Sequence, residues 1–332
     1  MQTPAAKPVL HGILSRLPLA VIVIFTFLMA AAGVAGGAEQ PALTLQKVAD
    51  GVHVLRAPSF EVTPANAGFV SNIGVIEDER GLVVLGTGTS RLFALHLLAF
   101  LERTLGKPVI AAINLYGGGD HVLGNGVFVA RGVPVTAHAE TERFVKASCH
   151  TCVERLTAAL GQNAMAGTEP TPPGHVITGS GPLAGVARPI RLLHFGHTFQ
   201  PGAIAVLDET TGTLFAGELG SAHYLPDLYN ASETGWRDAL TQMEALGARH
   251  VVPSHGAPGG REVLDAPRRY LDALIGQVDE LFGRGASLQE SLDQVGVSEF
   301  VDWYGYAIWH RRNVHFAYLH REQREFGPVA GH

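Results

Sequence analysis

Short apolar runs separated by turn residues recur along the chain, and this alternation predicts a succession of β-strands. Aspartate, arginine and glycine occupy many of the intervening positions, which is typical of turns between neighbouring strands. The runs that we interpret as strands are Val52–Leu55, Ala67–Ile76, Leu82–Leu85, Pro108–Leu115, Val133–Thr136, Ile190–Phe195, Ala203–Leu207, Thr213–Phe215 and Val251–Val252.

A different spacing predicts helices between these strands. After Ser90, leucines recur at short helical intervals as far as Leu105, which predicts a helix with one apolar face and Ser90 as its N-cap. Further helices are predicted at Glu140–Lys146, Glu233–Leu246, Pro267–Phe282, Leu288–Val295 and, in the aromatic and basic tail, Glu299–Phe326. Because helices separate groups of strands, we expect an α/β (α+β) domain in which helices cover β-sheets.

The first 38 residues have the pattern of a secretory signal peptide. Lys7 and Arg16 precede an uncharged apolar stretch from Leu17 to Ala38 that ends in small residues. We therefore predict a signal peptide at residues 1–38 and export of the protein to the periplasm. The alternative is an uncleaved segment that anchors the chain, because this stretch is long enough to span a bilayer. Contact with the membrane would then be limited to that segment.

Composition narrows the functional classes. Lysine and arginine together number 24 against 30 acidic residues, with no basic run, which argues against nucleic-acid binding. The two cysteines are too few for a disulfide scaffold in a chain of 332 residues. Histidine is frequent, at 16 residues, and this directs the search toward a metal site that acts on a small-molecule substrate.

Histidines and carboxylates follow the ends of several predicted strands. Strand ends that meet at one rim are where layered folds build their sites, and imidazole and carboxylate are ligands that zinc accepts. Each histidine alone would also fit a core or surface position, but their shared placement favours one common site. The residues concerned are Asp120, His121, His197, Glu218, His223 and His255.

In order and spacing, these segments resemble the metallo-β-lactamase superfamily of hydrolases over residues 48–260. The segments that carry the resemblance are Gly51–Leu55, Asn66–Phe69, Val84–Gly88, Ile113–Asn125, Gly196–Thr198, Leu214–Glu218 and Val252–Gly256. The resemblance implies an αββα sandwich at residues 39–285, with metals at one edge of the two sheets, followed by a helical tail at residues 286–332. Trp303 and Trp309–Asn313 in this tail are similar to the exported subgroup associated with quinoprotein relay and sulfur-oxidation systems.

The zinc loop departs from the family pattern. The family reads His-x-His-x-Asp-His, whereas this chain has Tyr116 and Gly118 at the first two positions. The family's Asp-Thr-Gly turn, which supports that loop, has Gly86 in place of its aspartate, and Glu218 stands where an aspartate is usual. The resemblance therefore implies that two ligands of the first metal, and the support of that site, are missing.

The ligands of the second metal are all present. The resemblance implies that Asp120, His121 and His255 hold this metal, with Glu218 bridging or adjacent, whereas the residue matching His197 belongs to the first. Random decay would be expected to strike both sites, so the pattern predicts one zinc ion per chain. One ion can suffice, because zinc alone lowers the pKa of a water ligand and polarises a carbonyl.

The remaining site residues have more than one interpretation. Glu218 is a fourth ligand or a general base, and His197, released from a metal, is a candidate acid or base near neutral pH. Tyr116 is a candidate oxyanion donor, or a loop aromatic that fills the vacated space. We expect an exported single-zinc hydrolase of an ester, thioester or amide, lactams included. The alternative is a catalytically degenerate accessory protein that binds a partner of a periplasmic quinoprotein or sulfur-oxidation system.

Cys149 and Cys152 form a second group of reactive residues. In an exported chain their spacing favours a local structural disulfide. A redox-active dithiol at the start of a helix and a metal site are the alternatives, because a helix start lowers the pKa of a thiol. A thiol-redox function would rest on these two residues alone.

Overall fold

Two β-sheets packed face to face form the centre of the computed structural model, which describes residues 40–327. The predicted signal peptide at residues 1–38 lies outside the described residues. The first sheet has the order β1 (Leu45–Ala49), β2 (Val52–Leu55), β3 (Ile73–Glu77), β4 (Leu82–Leu85), β5 (Val109–Ile113), β6 (Val135–His138) and β7 (His175–Ile177). The second has the order β12 (His250–Pro253), β11 (Thr213–Gly217), β10 (Ile204–Asp208), β9 (Ile190–His194) and β8 (Gly181–Pro182).

Helices cover the outer face of each sheet. They are α1 (Arg91–Leu105), α2 (Gly119–Val122), α3 (Asn125–Ala130), α4 (Ala139–Ser148), α5 (His150–Leu160), α6 (Glu233–Ala245), α7 (Glu262–Gly283), α8 (Leu288–Gln294) and α9 (Tyr306–Phe326). Helices α1 and α3 pack on the first sheet, whereas α6, α7 and α9 pack on the second. The predicted αββα sandwich is therefore confirmed. Within residues 40–327, no helix is both long and apolar enough to cross a bilayer.

The alternation of side chains along each strand explains the layers. In β4, Leu82 and Val84 pack on α1, whereas Val83 and Leu85 face the second sheet. All four side chains are fully buried. Because the strand is covered on both faces, every one of its positions is apolar. The same alternation in β10 and β11 divides apolar residues between the sheet interface and the helices beyond it.

Helix α1 begins where its sequence predicts. The Ser90 hydroxyl accepts a hydrogen bond from the Phe93 backbone N–H at 3.1 Å, which satisfies one of the unpaired donors of the first turn. The helix ends at Leu105, where Gly106 adopts a left-handed conformation. Both predicted ends are confirmed.

Several predicted boundaries are wrong, among them the start of the tail helix, which is predicted at Glu299 and lies at Tyr306. The strand predicted at Ala67–Ile76 begins only at Ile73, because a capping box between Thr63 and Asn66 folds the preceding segment into a 3-10 turn. The helix predicted to begin at Pro267 begins at Glu262. Burial of Val263 and Leu264 in the core extends α7 toward its N-terminus and leaves the proline inside the helix.

The C-terminal tail is helical from Tyr306 onward and shares the core of the sandwich. Val314 and Ala317 of α9 are buried in the same cluster as Tyr270 and Leu274 of α7. The domain boundary predicted at residue 285 therefore falls between two helices that contribute to one hydrophobic core.

Arg188 joins the two sheets at the edge opposite the strand ends of the site. Its guanidinium donates to both carboxylate oxygens of Asp208 in β10, at 2.7 and 2.8 Å. It also donates to the backbone carbonyls of Asp50 and Glu77 in the first sheet, at 2.9 and 3.2 Å. The Asp208 side chain is fully buried, so water cannot solvate its charge. The bidentate pair with Arg188 supplies the counterion and the hydrogen bonds that this buried carboxylate needs.

We expect Arg188→Met to lower the free energy of unfolding by about 3 kcal/mol, because it leaves the buried Asp208 carboxylate without its partner. Urea unfolding followed by circular dichroism measures the change. Arg191→Met is the matched control, since Arg191 pairs with Glu209 at the surface and such pairs contribute at most about 1 kcal/mol. Equal losses in the two variants would contradict this assignment.

The same pair predicts a loss of stability in acid. Burial alone would raise the pKa of Asp208, but hydrogen bonds from Arg188 and Thr211 outweigh it and hold the pKa below its ordinary value. The contribution of the ionised Asp208 carboxylate to the free energy of unfolding is therefore complete above the pKa of about 3.9 that it has in the unfolded chain. This contribution is lost as the pH falls through the lower pKa of the folded protein. Urea unfolding between about pH 6 and pH 3 should show the stability advantage of wild type over Asp208→Asn shrinking in acid. An advantage that does not change with pH would refute the linkage.

Candidate metal centre

Three side chains from separate strand ends converge at one edge of the sandwich. The ligand atoms of Asp120, Glu218 and His255 all lie within 4.8 Å of one another. Glu218 follows β11 and His255 follows β12, which are parallel neighbours, so their carboxyl ends meet at the same edge. Asp120 comes from α2, which follows β5 of the first sheet. The group therefore lies where the two sheets meet.

His255 and Glu218 form a buried ion pair. The Nε2 atom of His255 is 2.7 Å from Oε1 of Glu218, while Nδ1 is 2.9 Å from the Val70 carbonyl oxygen. Because a carbonyl only accepts, Nδ1 carries a proton and Nε2 is the nitrogen directed at the carboxylate. Burial alone would lower the pKa of His255, but the Glu218 carboxylate outweighs it and raises the pKa. The Nε2 proton thus occupies a position that a metal cation could take.

Tyr116 is hydrogen bonded to Asp120. The phenol donates from Oη to Oδ2 of Asp120 at 2.6 Å, and the ring is almost completely buried. Burial and the carboxylates of Asp120 and Glu218 raise the pKa of Tyr116 well above its ordinary value, so the phenol stays protonated. Its single proton is directed at Asp120, which makes Tyr116 an orienting partner of that carboxylate.

The Tyr116 ring also takes the space beside Gly118. A Cβ atom at Gly118 would lie 2.4 Å from Cε2 of Tyr116 and 2.4 Å from Oδ1 of Asp120. A side chain at residue 118 is therefore incompatible with the observed position of the ring. This geometry supports the interpretation of Tyr116 as an aromatic residue that fills the space left by the missing histidines.

His121 is not among the residues whose ligand atoms lie within 4.8 Å of one another. Its ring stacks on Tyr116 with centroids 4.4 Å apart, and it is completely buried. Burial lowers the pKa of His121 to about 4, and neither ring nitrogen has a hydrogen-bond partner among residues 40–327. The ring occupies the space next to Gly86, where a Cβ atom would lie 2.7 Å from Cε1 of His121. His121 is thus a neutral imidazole with an available lone pair. The ring of Tyr116, which is hydrogen bonded to Asp120, stacks on it.

The structure does not bring His197 to this group. Its side chain is exposed on the loop after β9, and Nε2 lies 2.7 Å from the Asn230 carbonyl oxygen. Glu218, in contrast, lies inside the group, with its side chain only 11% exposed. Of the two candidates for proton transfer, the geometry favours Glu218.

A cleft of about 440 Å³ opens in front of the group, and aromatic residues form one of its walls. Tyr224 stacks on His255 with ring centroids 3.9 Å apart, and Phe60 packs against Tyr224 at 5.4 Å. Sequence reasoning missed both residues. Tyr224 directly follows His223, so its place in the segment after β11 was the available signal, whereas Phe60 lies in a loop without any recognisable motif.

The C-terminal tail supports this aromatic wall from behind. Tyr304 and Trp309 pack on Tyr224 at 5.5 and 5.0 Å between ring centroids. The backbone is also joined, because the Leu225 N–H donates to the Tyr304 carbonyl at 2.9 Å and the Tyr304 N–H donates to the His223 carbonyl at 3.0 Å. The tail therefore helps to build the cleft.

The predicted disulfide between Cys149 and Cys152 is confirmed. It joins the end of α4 to the first turn of α5, and both residues are buried. Cys152 lines the cleft and lies beside the zinc loop, since a Cβ atom at Gly119 would be 3.0 Å from Cβ of Cys152. The disulfide thus packs against the residue that precedes Asp120.

Comparison with known proteins agrees with this architecture. Residues 66–255 match the model of the metallo-β-lactamase superfamily, which is more than half of the chain. The protein belongs to the metallo-β-lactamase superfamily.

Solved structures of that superfamily share the fold. A metallo-β-lactamase from Pontibacter korlensis has a TM-score of 0.55 at 19% identity, covering 70% of this chain and 99% of its own. FIM-1 from Pseudomonas aeruginosa, in its mono-zinc form, has a TM-score of 0.56 at 18% identity, covering 70% and 96%. A metallo-β-lactamase from Hirschia baltica has a TM-score of 0.53 at 23% identity, covering 69% and 97%. At these identities the likeness extends to the fold.

We expect Tyr116→Phe to weaken zinc binding about tenfold, because Asp120 loses the hydrogen bond that orients its carboxylate. Competition with a chromophoric chelator measures the dissociation constant. Tyr306→Phe is the control, since Tyr306 donates no hydrogen bond to this group and its hydroxyl instead accepts from the Val297 N–H. Unchanged affinity in Tyr116→Phe would show that Tyr116 only fills space.

Proposed function

We propose that this chain is a metal-dependent hydrolase that uses one zinc ion held by Asp120, Glu218 and His255. The observation that carries the proposal is the convergence of these three side chains within 4.8 Å of one another. Two carboxylates and one imidazole are a donor set that zinc accepts, and three protein ligands leave a position open for substrate. FIM-1, which shares the fold, has been solved in a mono-zinc form, which is consistent with a single-ion site in this architecture.

A zinc ion supplies a Lewis acid that polarises a carbonyl and lowers the pKa of water to about 7. The protein supplies orientation. The Val70 carbonyl fixes the His255 ring with Nε2 directed at Glu218, and the Tyr116 phenol fixes Asp120. Besides holding the ion, Glu218 would be the group in the cleft that accepts a proton from an attacking water molecule, through a carboxylate oxygen that does not bind the ion.

The cleft indicates the kind of substrate. Its aromatic wall of Phe60 and Tyr224 suits the apolar part of an ester, thioester or amide, lactams included. Together with the signal peptide predicted at residues 1–38, these features support action on a small molecule in the periplasm.

One observation favours a second candidate, a catalytically degenerate accessory protein of a periplasmic quinoprotein or sulfur-oxidation system. Asp120 and Glu218 each have a partner within the protein, Tyr116 and His255. The group is therefore stable without a cation, as a binding protein that keeps only the fold would require.

We expect the mature protein to bind close to one zinc ion per chain. Asp120→Asn, Glu218→Gln and His255→Gln should each weaken binding at least tenfold, because each removes a ligand. Elemental analysis after dialysis gives the stoichiometry, and chelator competition gives the affinity. His197→Gln is the matched control and should have no effect. His121→Gln separates the ligand set proposed here from the one implied by family resemblance, which includes His121. Two tightly held ions, or none, would contradict the proposal.

We expect slow hydrolysis of simple esters, thioesters and lactams that a chelator abolishes and added zinc restores. The rate should lie orders of magnitude below that of a two-zinc relative, because a second Lewis acid contributes several kcal/mol. A stopped assay on matched ester, thioester and lactam substrates, with His255→Gln as the inactive control, measures it. Zinc binding without any chelator-sensitive turnover would favour the accessory protein.

A further inference from the structure

One face of α5 forms part of the wall of the cleft. Cys152, Arg155, Leu156 and Ala159 all line the cleft. Their spacing of three and four residues places them on one face of the helix, one above the other. This face combines apolar side chains with a single guanidinium group.

Arg155 carries a charge that the protein does not compensate. Its side chain is exposed and forms no ion pair or hydrogen bond with any residue in the described range 40–327. Most arginines of the described chain do pair with a carboxylate, among them Arg143 on the neighbouring helix α4, which pairs with Glu140. Among the described residues that line the cleft, Arg155 is the one lysine or arginine.

The negative charges of the cleft are already balanced. Asp227 at its rim pairs with Arg312 at 2.7 Å. Asp120 and Glu218 are the proposed zinc ligands, so a bound cation takes up their charge. The guanidinium of Arg155 is then the charge on the cleft wall that still lacks a counterion, and its complement is an anion.

We propose that Arg155 binds a carboxylate group of the ligand, whose apolar part lies between Leu156 and the aromatic wall. Arginine suits this function because its planar fork can donate two parallel hydrogen bonds to a carboxylate. The disulfide at Cys152, one helical turn before Arg155, joins the start of α5 to the end of α4. The substrate class is thus an acyl compound that carries both an apolar group and an anionic group. That this ligand is a substrate rests on the proposed hydrolase function, whereas the binding itself rests on the charge of Arg155 and on the proposed zinc ion alone.

The test is a comparison of two small ligands that differ only in charge. Isothermal titration of zinc-loaded protein with phenylbutyrate and with its neutral amide, phenylbutyramide, gives the preference for the carboxylate. We expect wild type to bind phenylbutyrate about tenfold more tightly, as a charge-assisted hydrogen-bond pair at a partly exposed site provides. Arg155→Gln should abolish this preference, and added salt should reduce it in wild type.

Arg143→Gln is the matched control, because Arg143 is an exposed arginine of the adjoining helix that does not line the cleft, and this variant should keep the full preference. Equal affinity for the two ligands in wild type would overturn the proposal. A preference retained in Arg155→Gln would also overturn it, because the carboxylate would then be binding to the metal. Chelator-sensitive hydrolysis of a neutral ester tests the hydrolase function separately. The titration therefore decides whether Arg155 binds a carboxylate, and the ester assay decides whether the protein is a hydrolase.

Discussion

Two carboxylates lie close together at the junction of the sheets, and the rest of the site depends on how the repulsion between them is compensated. Asp120 and Glu218 are largely withdrawn from water, and like charges at such distances repel strongly unless each has a counterion or proton donor. The Tyr116 phenol and the His255 imidazolium meet this need in the protein alone. Only the imidazolium is an exchangeable partner, because a divalent cation could replace its Nε2 proton, whereas the phenol could remain hydrogen bonded to Asp120. Each carboxylate therefore has a partner within the protein, and the donor set is also one that zinc accepts.

The changes in the zinc loop are physically linked. The Tyr116 ring takes the volume that a side chain at residue 118 would need, so the tyrosine and Gly118 depend on each other. Gly86 is linked to the same group, because His121 stacks under Tyr116 and its ring fills the space above Gly86. A single reversion at 118 or 86 would meet a ring already in place. These residues therefore form one interdependent packing unit.

The layered fold and most strands could be predicted from the sequence, because period-two burial and the Ser90 cap act over a few neighbouring residues. The helix start at Glu262 could not, since burial of Val263 by distant residues decides it. In the same way, the spacing of the motifs predicted that Asp120, Glu218 and His255 lie at one edge. It could not predict that His121 is directed inward against Tyr116 or that His197 is directed outward. Those orientations depend on which neighbouring volumes are already filled.

The backbone bridge between Tyr224 and Tyr304 has a consequence for the order of folding. The two residues are far apart in the chain, so their pairing must close a long loop and forms late relative to local helices and turns. During synthesis, the segments that carry Asp120, Glu218 and His255 leave the ribosome before the segment that completes the cleft. A nascent or C-terminally shortened chain would therefore hold the ionisable group and Tyr224 without Tyr304 and Trp309, which support the aromatic wall from behind. The cleft is complete only when the last helix has been added.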